Sequence, residues 1–310
     1  GPSMADSGFF LLVRRAGPSQ CAGPESQDEW SPALGWSTAF LSVKEEKKTV
    51  GLDMRPFPFF VDSAGDRLLF CFHHAGGSAS VYRYWVERDP RVAVVPVELP
   101  GKATRMSEQW IDDFSLLVRS LADNIHLLAH GVPVVLYGHS MGAALAYQCA
   151  AHLQETYHHV PLAVVVAARQ APGEVVEGEY RSCMGLAALR EELVKVGGTP
   201  PEILADEALM EVLLPSVRRD YALHESFCHA STVLRCPILA LAGSEDPTVT
   251  PQMMEKWSQY TSASFMLKTV PGGHFFPVDC GISFLEDLVD DIDRIALGDK
   301  LIFPQNSVKE

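Results

Sequence analysis

Residues 134–147 read VVLYGHSMGAALAY, and this stretch decides the fold. It begins as a continuous apolar run, which is typical of a buried strand, and ends as an alanine-rich run that favours a helix. Between the two runs lies Gly-His-Ser-Met-Gly, residues 138–142. A turn this sharp exposes its central serine at the sheet edge and accepts only small neighbours. The flanking strand and helix favour Ser140 as a nucleophile over the alternative, a tight turn without chemistry.

A serine hydroxyl needs a general base, and the base needs an acid that orients it. The apolar run 238–242 predicts a strand, and the loop after it carries Glu245 and Asp246. Asp246 is the predicted acid and Glu245 the alternative, because adjacent side chains usually point apart and only one can reach an imidazole. The last predicted strand, 265–270, is followed by PGGHFF, which predicts His274 as the general base. His139 is expected to pack beneath the elbow.

Acyl transfer also needs hydrogen-bond donors for the developing oxyanion. The N–H after the nucleophile, that of Met141, is the first predicted donor. The predicted strand 68–72 is followed by the glycine-rich loop 73–78, HHAGGS, whose backbone can approach a substrate closely. The Ala75 N–H is the second predicted donor. A phosphate-binding loop is the competing interpretation, but no Gly-x-x-x-x-Gly-Lys pattern accompanies the turn.

From residue 55 onward, short apolar runs alternate with amphipathic helices, which is typical of a mostly parallel sheet covered on both faces. The predicted strands are 68–72, 92–97, 134–137, 162–167, 238–242 and 265–270. Helices are predicted over 114–128, after Ser140, and over 284–292. With the elbow, this order predicts the α/β class and, within it, an α/β-hydrolase fold.

Residues 173–232 separate two strands by far more chain than one crossover helix needs. Helical periodicity over 186–196 and 208–223 predicts a helical lid, with a structural flap as the alternative. The predicted domain therefore covers residues 53–300. Residues 1–52 read as a flexible extension, although Trp30 and Trp36 would favour docking on the domain, and 301–310 read as a tail.

Composition limits the partners and the compartment. The 310 residues carry 39 acidic and 25 basic side chains, a formal charge of −14, so nucleic acid is an unfavourable partner. Seven scattered cysteines without Cys-x-x-Cys spacing favour a reducing compartment, and we expect a cytoplasmic protein. No apolar run approaches the roughly 20 residues of a membrane span. No metal site is predicted.

The ordered motifs of this chain resemble those of the type II thioesterases that accompany polyketide, nonribosomal-peptide and fatty-acid synthases. The resemblance covers residues 66–295. Its markers are FCFHHAGGSA at 70–79, ELPG at 98–101, GHSMG at 138–142, GGTPP at 197–201, LLP at 213–215, RRDY at 218–221, DP at 246–247 and GGHFF at 272–276. Several short motifs in the family's order are far more specific than one.

The resemblance implies hydrolysis of acyl groups from the phosphopantetheine arm of acyl or peptidyl carrier proteins, for editing or product release. It implies no cofactor, because the substrate brings the phosphopantetheine. Lys102 and Ala103 stand where the family usually has arginine and glycine, and His73 and Gln148 also depart from its pattern. These departures put substrate preference in doubt more than activity.

Two competing functions remain at this point. An esterase or lipase would use the same serine, acid and histidine on oxygen esters, and an inert hydrolase-fold binding module would use 173–232 as its interaction surface. In the predicted lid, Arg218 and Arg219 could meet a carrier protein or its phosphodiester. The alternative is that both are solvated helix residues.

Overall fold

The computed structural model describes residues 51–62, 65–174, 180–225, 227 and 231–296. Its centre is a six-stranded sheet in which every neighbouring pair of strands is parallel. The strands are β1 (Arg67–Phe72), β2 (Val92–Val97), β3 (Val134–His139), β4 (Ala163–Ala167), β5 (Ile238–Gly243) and β6 (Phe265–Val270). Their order across the sheet is β2-β1-β3-β4-β5-β6. The predicted strands are thus confirmed, with ends that shift by at most two residues.

Eight helices lie in the described residues, and those that pack on the sheet cover both of its faces. They are α1 (Phe114–Ala129), α2 (Met141–Thr156), α3 (Leu186–Val196), α4 (Pro201–Ala205), α5 (Glu207–Glu225), α6 (Pro251–Glu255), α7 (Phe276–Asp279) and α8 (Ile282–Ala296). Short 3₁₀ helices lie at Ala79–Trp85, Ala103–Arg105, Ser182–Met184 and Lys256–Tyr260. The fold is that of an α/β-hydrolase, as predicted.

The side chains of strand β1 pack alternately into two apolar clusters, one on each face of the sheet. Leu68, Phe70 and Phe72 pack in the cluster that contains the buried faces of α1 and α2. Leu69 and Cys71 point to the opposite face, into the cluster that contains the apolar side of α8. Successive side chains of a strand alternate between faces, so a strand covered by helices on both sides must be apolar throughout.

Helices α3, α4 and α5 form an insertion between β4 and β5. We call residues 180–225 the helical insertion. It has a small apolar cluster of its own, to which α3 contributes Leu189 and Leu193 and α5 contributes Met210, Leu214 and Val217. The predicted helix 186–196 is confirmed, and the predicted helix 208–223 begins one residue earlier and ends two residues later, at Glu207 and Glu225. Whether the insertion acts as a lid stays a prediction.

The predicted extension 1–52 lies outside the described residues except for its last two positions, and the tail 301–310 lies outside them entirely. Leu52 packs against the main core, and the Asp53 N–H donates to Asn124 Oδ1 at 3.0 Å. The predicted start of the domain at residue 53 stays a prediction. Among the described helices, none is long and apolar enough to cross a membrane.

Candidate active site

The turn after β3 is a strained elbow that only glycine neighbours allow. Ser140 has φ 55° and ψ −117°, and its N–H donates to Ala167 O at 2.8 Å. A Cβ on Gly138 would lie 2.0 Å from Gly142 O, and one on Gly142 would lie 2.1 Å from Phe72 O. A side chain at either position would therefore collide with backbone. The two glycines bring the start of α2 against the ends of β1 and β3, so the Ser140 side chain stands at the carboxyl edge of the sheet.

His274 links the serine to a buried carboxylate. Its Nε2 lies 3.1 Å from Ser140 Oγ, and its Nδ1 lies 2.7 Å from Asp246 Oδ2. These atoms come from three loops, after β3, β5 and β6, which meet because parallel strands end at one sheet edge. The alternative acid, Glu245, is exposed to solvent, and the carboxylate against the imidazole is that of Asp246.

The turn that follows Asp246 orients its carboxylate. Oδ1 accepts from the Thr248 N–H at 2.8 Å, from the Thr248 hydroxyl at 2.7 Å and from the Val249 N–H at 3.1 Å. Burial alone would raise the pKa of Asp246, but the hydrogen bonds with His274 and Thr248 outweigh it and leave this pKa below its ordinary value. Oδ2 therefore stays an ionised acceptor for the imidazole. Sequence reasoning missed Thr248, for which the adjacent Asp-Pro turn was the available signal.

His139 lies beneath the elbow, as predicted. It is fully buried, and its Nε2 donates to His274 O at 2.8 Å. Burial lowers the pKa of His139 well below 6.5, so the ring is neutral and serves as a fixed donor. This residue holds the His274 loop in place from below.

The glycine-rich loop after β1 is fixed by its own two histidines. His73 Nδ1 donates to His74 O at 2.8 Å, and His74 Nδ1 donates to Ala75 O at 2.9 Å. Burial lowers the pKa of His73 to about 3 and that of His74 to about 4, so both rings are neutral at pH 7. The loop carries Ala75 at the sheet edge where Ser140 also stands. The oxyanion roles of Ala75 and Met141 stay predictions.

The helical insertion reaches this loop directly. The Gly76 N–H donates to Asp220 Oδ2, on α5, at 2.6 Å, and the Lys102 ammonium pairs with the same carboxylate. A Cβ on Gly76 would lie 3.0 Å from the Val217 side chain. Sequence reasoning did not place Asp220 or Lys102 at the site. The available signals were the RRDY marker and the departure from family pattern at residue 102.

The two arginines of that marker have partners within the chain. Arg218 Nε donates to Ser182 O at 2.8 Å. Arg219 lies 3.4 Å from the Asp112 carboxylate and stacks over the Trp110 ring at 5.0 Å. Contact of either arginine with a carrier protein stays a prediction.

A nucleophile elbow on a parallel sheet, a histidine between serine and aspartate, and a helical insertion beside them define a hydrolase of the α/β-hydrolase class. Residues 67–295 match the model of the Thioesterase domain family, which is well over half of the chain. The protein belongs to this family.

Proteins and solved structures similar to this chain include thioesterases of biosynthetic pathways. The chain is 36% identical over 215 residues to the protein named linear gramicidin dehydrogenase LgrE, from Brevibacillus parabrevis, covering 67% of this chain and 81% of that one. RedJ, a thioesterase of the prodiginine pathway in Streptomyces coelicolor, is 35% identical with a TM-score of 0.66, over 74% of this chain and 91% of RedJ. BorB, a type II thioesterase of the borrelidin cluster, is 34% identical with a TM-score of 0.63, over 73% and 92%.

Proposed function

We propose that this protein is a serine thioesterase that hydrolyses acyl thioesters held on the phosphopantetheine arm of acyl or peptidyl carrier proteins. The observation that carries the proposal is the hydrogen-bonded series from Ser140 through His274 to Asp246, in a chain of the Thioesterase domain family. The biosynthetic pathways named for RedJ and BorB support carrier-bound intermediates as substrates. Editing or product release is the cellular role that fits such a hydrolase.

The proposed reaction has two steps. Ser140 Oγ attacks the thioester carbonyl while His274 Nε2 takes its proton, and the N–H groups of Met141 and Ala75 hold the oxyanion. Asp246 keeps the proton of the imidazole on Nδ1 and stabilises the imidazolium. The thiol leaves with the proton from His274. Water activated by His274 then cleaves the acyl ester of Ser140 and releases the acid.

The proposed chemistry needs no cofactor from the protein, because the substrate carries the phosphopantetheine. The name of LgrE suggests a redox reaction, which we do not transfer to this chain. Nicotinamide dinucleotide sites use Gly-x-Gly-x-x-Gly after the first strand, whereas the loop after β1 reads HHAGGS.

The described cysteines are free thiols, three of them buried, which supports the reducing cytoplasm as the compartment.

The test compares hydrolysis of acyl-carrier thioesters by wild type and Ser140→Ala. We expect the variant to lose about 10⁴-fold or more in kcat, because no other group supplies the nucleophile. Ser283→Ala, a serine on α8 that bonds Cys280 O, is the matched control and should keep wild-type activity. Ser140→Ala turnover within about tenfold of wild type would contradict the proposal.

A matched series separates the competing functions. Carriers loaded with acyl groups from acetyl to long chains are compared with alcohol esters of the same acids. Faster cleavage of the thioesters is expected, and a preference for the oxygen esters would indicate an esterase instead. A fluorophosphonate probe should label wild type and not Ser140→Ala, whereas an inert binding module would label in neither form.

A further inference from the structure

Two consecutive peptide groups of the glycine-rich loop are held at specific atoms. In the His74–Ala75 peptide, the carbonyl accepts from His73 Nδ1 at 2.8 Å and from the Gly77 N–H at 3.0 Å. A trans peptide points its N–H away from its carbonyl, so these bonds set the direction of the Ala75 N–H. In the next peptide, His74 Nδ1 holds the Ala75 carbonyl at 2.9 Å, and Asp220 accepts from the Gly76 N–H at 2.6 Å.

Of the groups that hold this loop, Asp220 comes from a different part of the fold. It lies on α5 in the helical insertion, 144 positions along the chain from Gly76. Its side chain is fully buried, and the Lys102 side chain, whose ammonium pairs with it, is only 6% exposed. Lys102 also lies 3.4 Å from Ser216 Oγ and 4.9 Å from the Trp110 ring centre. One oxygen of the carboxylate, Oδ2, thus accepts from both the Lys102 ammonium and the Gly76 N–H, so Lys102 fixes the atom that holds the loop.

The packing around this contact leaves little freedom. Gly76 has φ 79°, and a Cβ on it would approach Val217, one turn before Asp220, to 3.0 Å. A second close approach joins the insertion to the His274 loop, because a Cβ on Gly198 would lie 2.4 Å from the Phe275 ring. The insertion therefore contacts both loops that complete the site around Ser140.

We propose that Asp220 is a positioning residue: it fixes the Ala75–Gly76 peptide, which adjoins the peptide that carries the Ala75 N–H, and so helps to keep that N–H directed at the oxyanion. This inference rests on the proposed function and extends it. A preorganised donor stabilises charge in the transition state without reorganising at the moment of reaction, so its alignment affects kcat more than substrate binding. It follows that seating of the insertion and assembly of the oxyanion site are coupled: when α5 moves away, Gly76 loses its acceptor.

The test measures kcat and KM per active site, with site concentration from fluorophosphonate titration run to completion. For Asp220→Ala we expect kcat to fall about 100-fold with KM within about threefold of wild type, the size of effect seen when an oxyanion donor is lost. Affinity for a trifluoromethyl-ketone analogue of the tetrahedral intermediate should fall in parallel. Asp220→Asn keeps an amide oxygen that can accept from Gly76 N–H, so it should recover part of kcat.

Asp291→Asn is the matched control, because Asp291 is also a buried carboxylate paired with basic side chains, Lys268 and Arg294, but on α8 at the far face. It should lower thermal stability and leave kcat per titrated site unchanged.

If Asp220→Ala does not fold, the inference is tested with Lys102→Met instead. This variant leaves the Asp220 carboxyl beside Gly76 but removes the Lys102 charge that fixes the carboxyl. We expect about tenfold lower kcat at constant KM.

Two results would overturn the inference. One is kcat per titrated site within about threefold of wild type in folded Asp220→Ala, or in Lys102→Met where that variant decides. The other is a rise in KM at constant kcat, which would assign Asp220 to substrate binding. A wild-type protein without thioesterase activity would instead defeat the proposed function, so the two failures are distinguishable.

Discussion

Gly142 lies where the first turn of α2 meets the end of β1, and its missing side chain is what lets the two come together. The space that a Cβ would need is already filled by Phe72 O at 2.1 Å, with His73 O at 2.8 Å behind it. Both are backbone atoms of the segment that leads into the glycine-rich loop. The position of Ser140, the predicted nucleophile, and that of the predicted oxyanion loop thus depend on the same contact.

Gly142→Ala should therefore disrupt the site and not only the helix. We expect a loss of about 3 kcal/mol or more in unfolding free energy, because a backbone neighbour cannot yield as a side chain can. Thioester hydrolysis per folded molecule should fall as well. Gly273→Ala is the comparison, since the nearest atom to its Cβ would be 4.0 Å away. Equal effects in denaturant unfolding and in activity would refute the steric explanation.

Other single-residue features differ in how far the sequence predicts them. Ser140 and His274 follow from motif and position, since each sits after an apolar strand with glycines beside it. The choice of Asp246 over Glu245 needed an argument about adjacent side chains. The structure gives the reason: the Thr248 and Val249 bonds turn the Asp246 carboxylate inward.

At the scale of elements, prediction succeeds where burial imposes a long pattern. Most of the strands are apolar runs because helices cover both faces of the sheet, and α1 and α8 show one apolar side against the sheet. The short helices α6 and α7 were not predicted, because four or five residues are too few to show a period of 3.6.

The start of α1 gives a prediction at this scale. The Asp113 carboxylate caps the helix by accepting from the Leu116 N–H at 2.9 Å. Asp113→Ala should lower the unfolding free energy by about 1 kcal/mol, because this N–H would lose its partner. Asp112→Ala, one residue earlier, removes only a 3.4 Å surface pair with Arg219 and should change stability by about 0.5 kcal/mol or less. Urea unfolding of both variants checks the contrast, and similar losses would contradict it.

Across the whole molecule, neutral buried histidines make stability depend on pH. The folded pKa of His73 is about 3 and that of His74 about 4, against about 6.5 for the unfolded chain. Between these values the unfolded state binds more protons, so stability is complete above pH 6.5 and is lost as the pH falls through that window. The buried His139 acts in the same direction.

Wild-type protein should therefore lose unfolding free energy between pH 7.5 and pH 5. In His73→Asn, whose amide can still donate to His74 O, this loss should be smaller by about 2 kcal/mol, because one group that titrates in the unfolded chain is gone. Denaturant unfolding at both pH values measures the difference between the two proteins. An identical pH dependence in both would show that His73 is not held neutral by the fold.

The sequence by itself determined the sheet, the elbow, and the residues Ser140, Asp246 and His274, because burial and tight turns leave local patterns in a chain. It also determined that the insertion is helical. Only the tertiary structure decided that Asp220 and Lys102 lie against the glycine-rich loop. A contact between Gly76 and a carboxylate 144 residues away leaves no periodicity and no turn signature, since it depends on how α5 packs over the completed sheet. Long-range polar contacts of this kind are fixed by packing, which the local pattern does not encode.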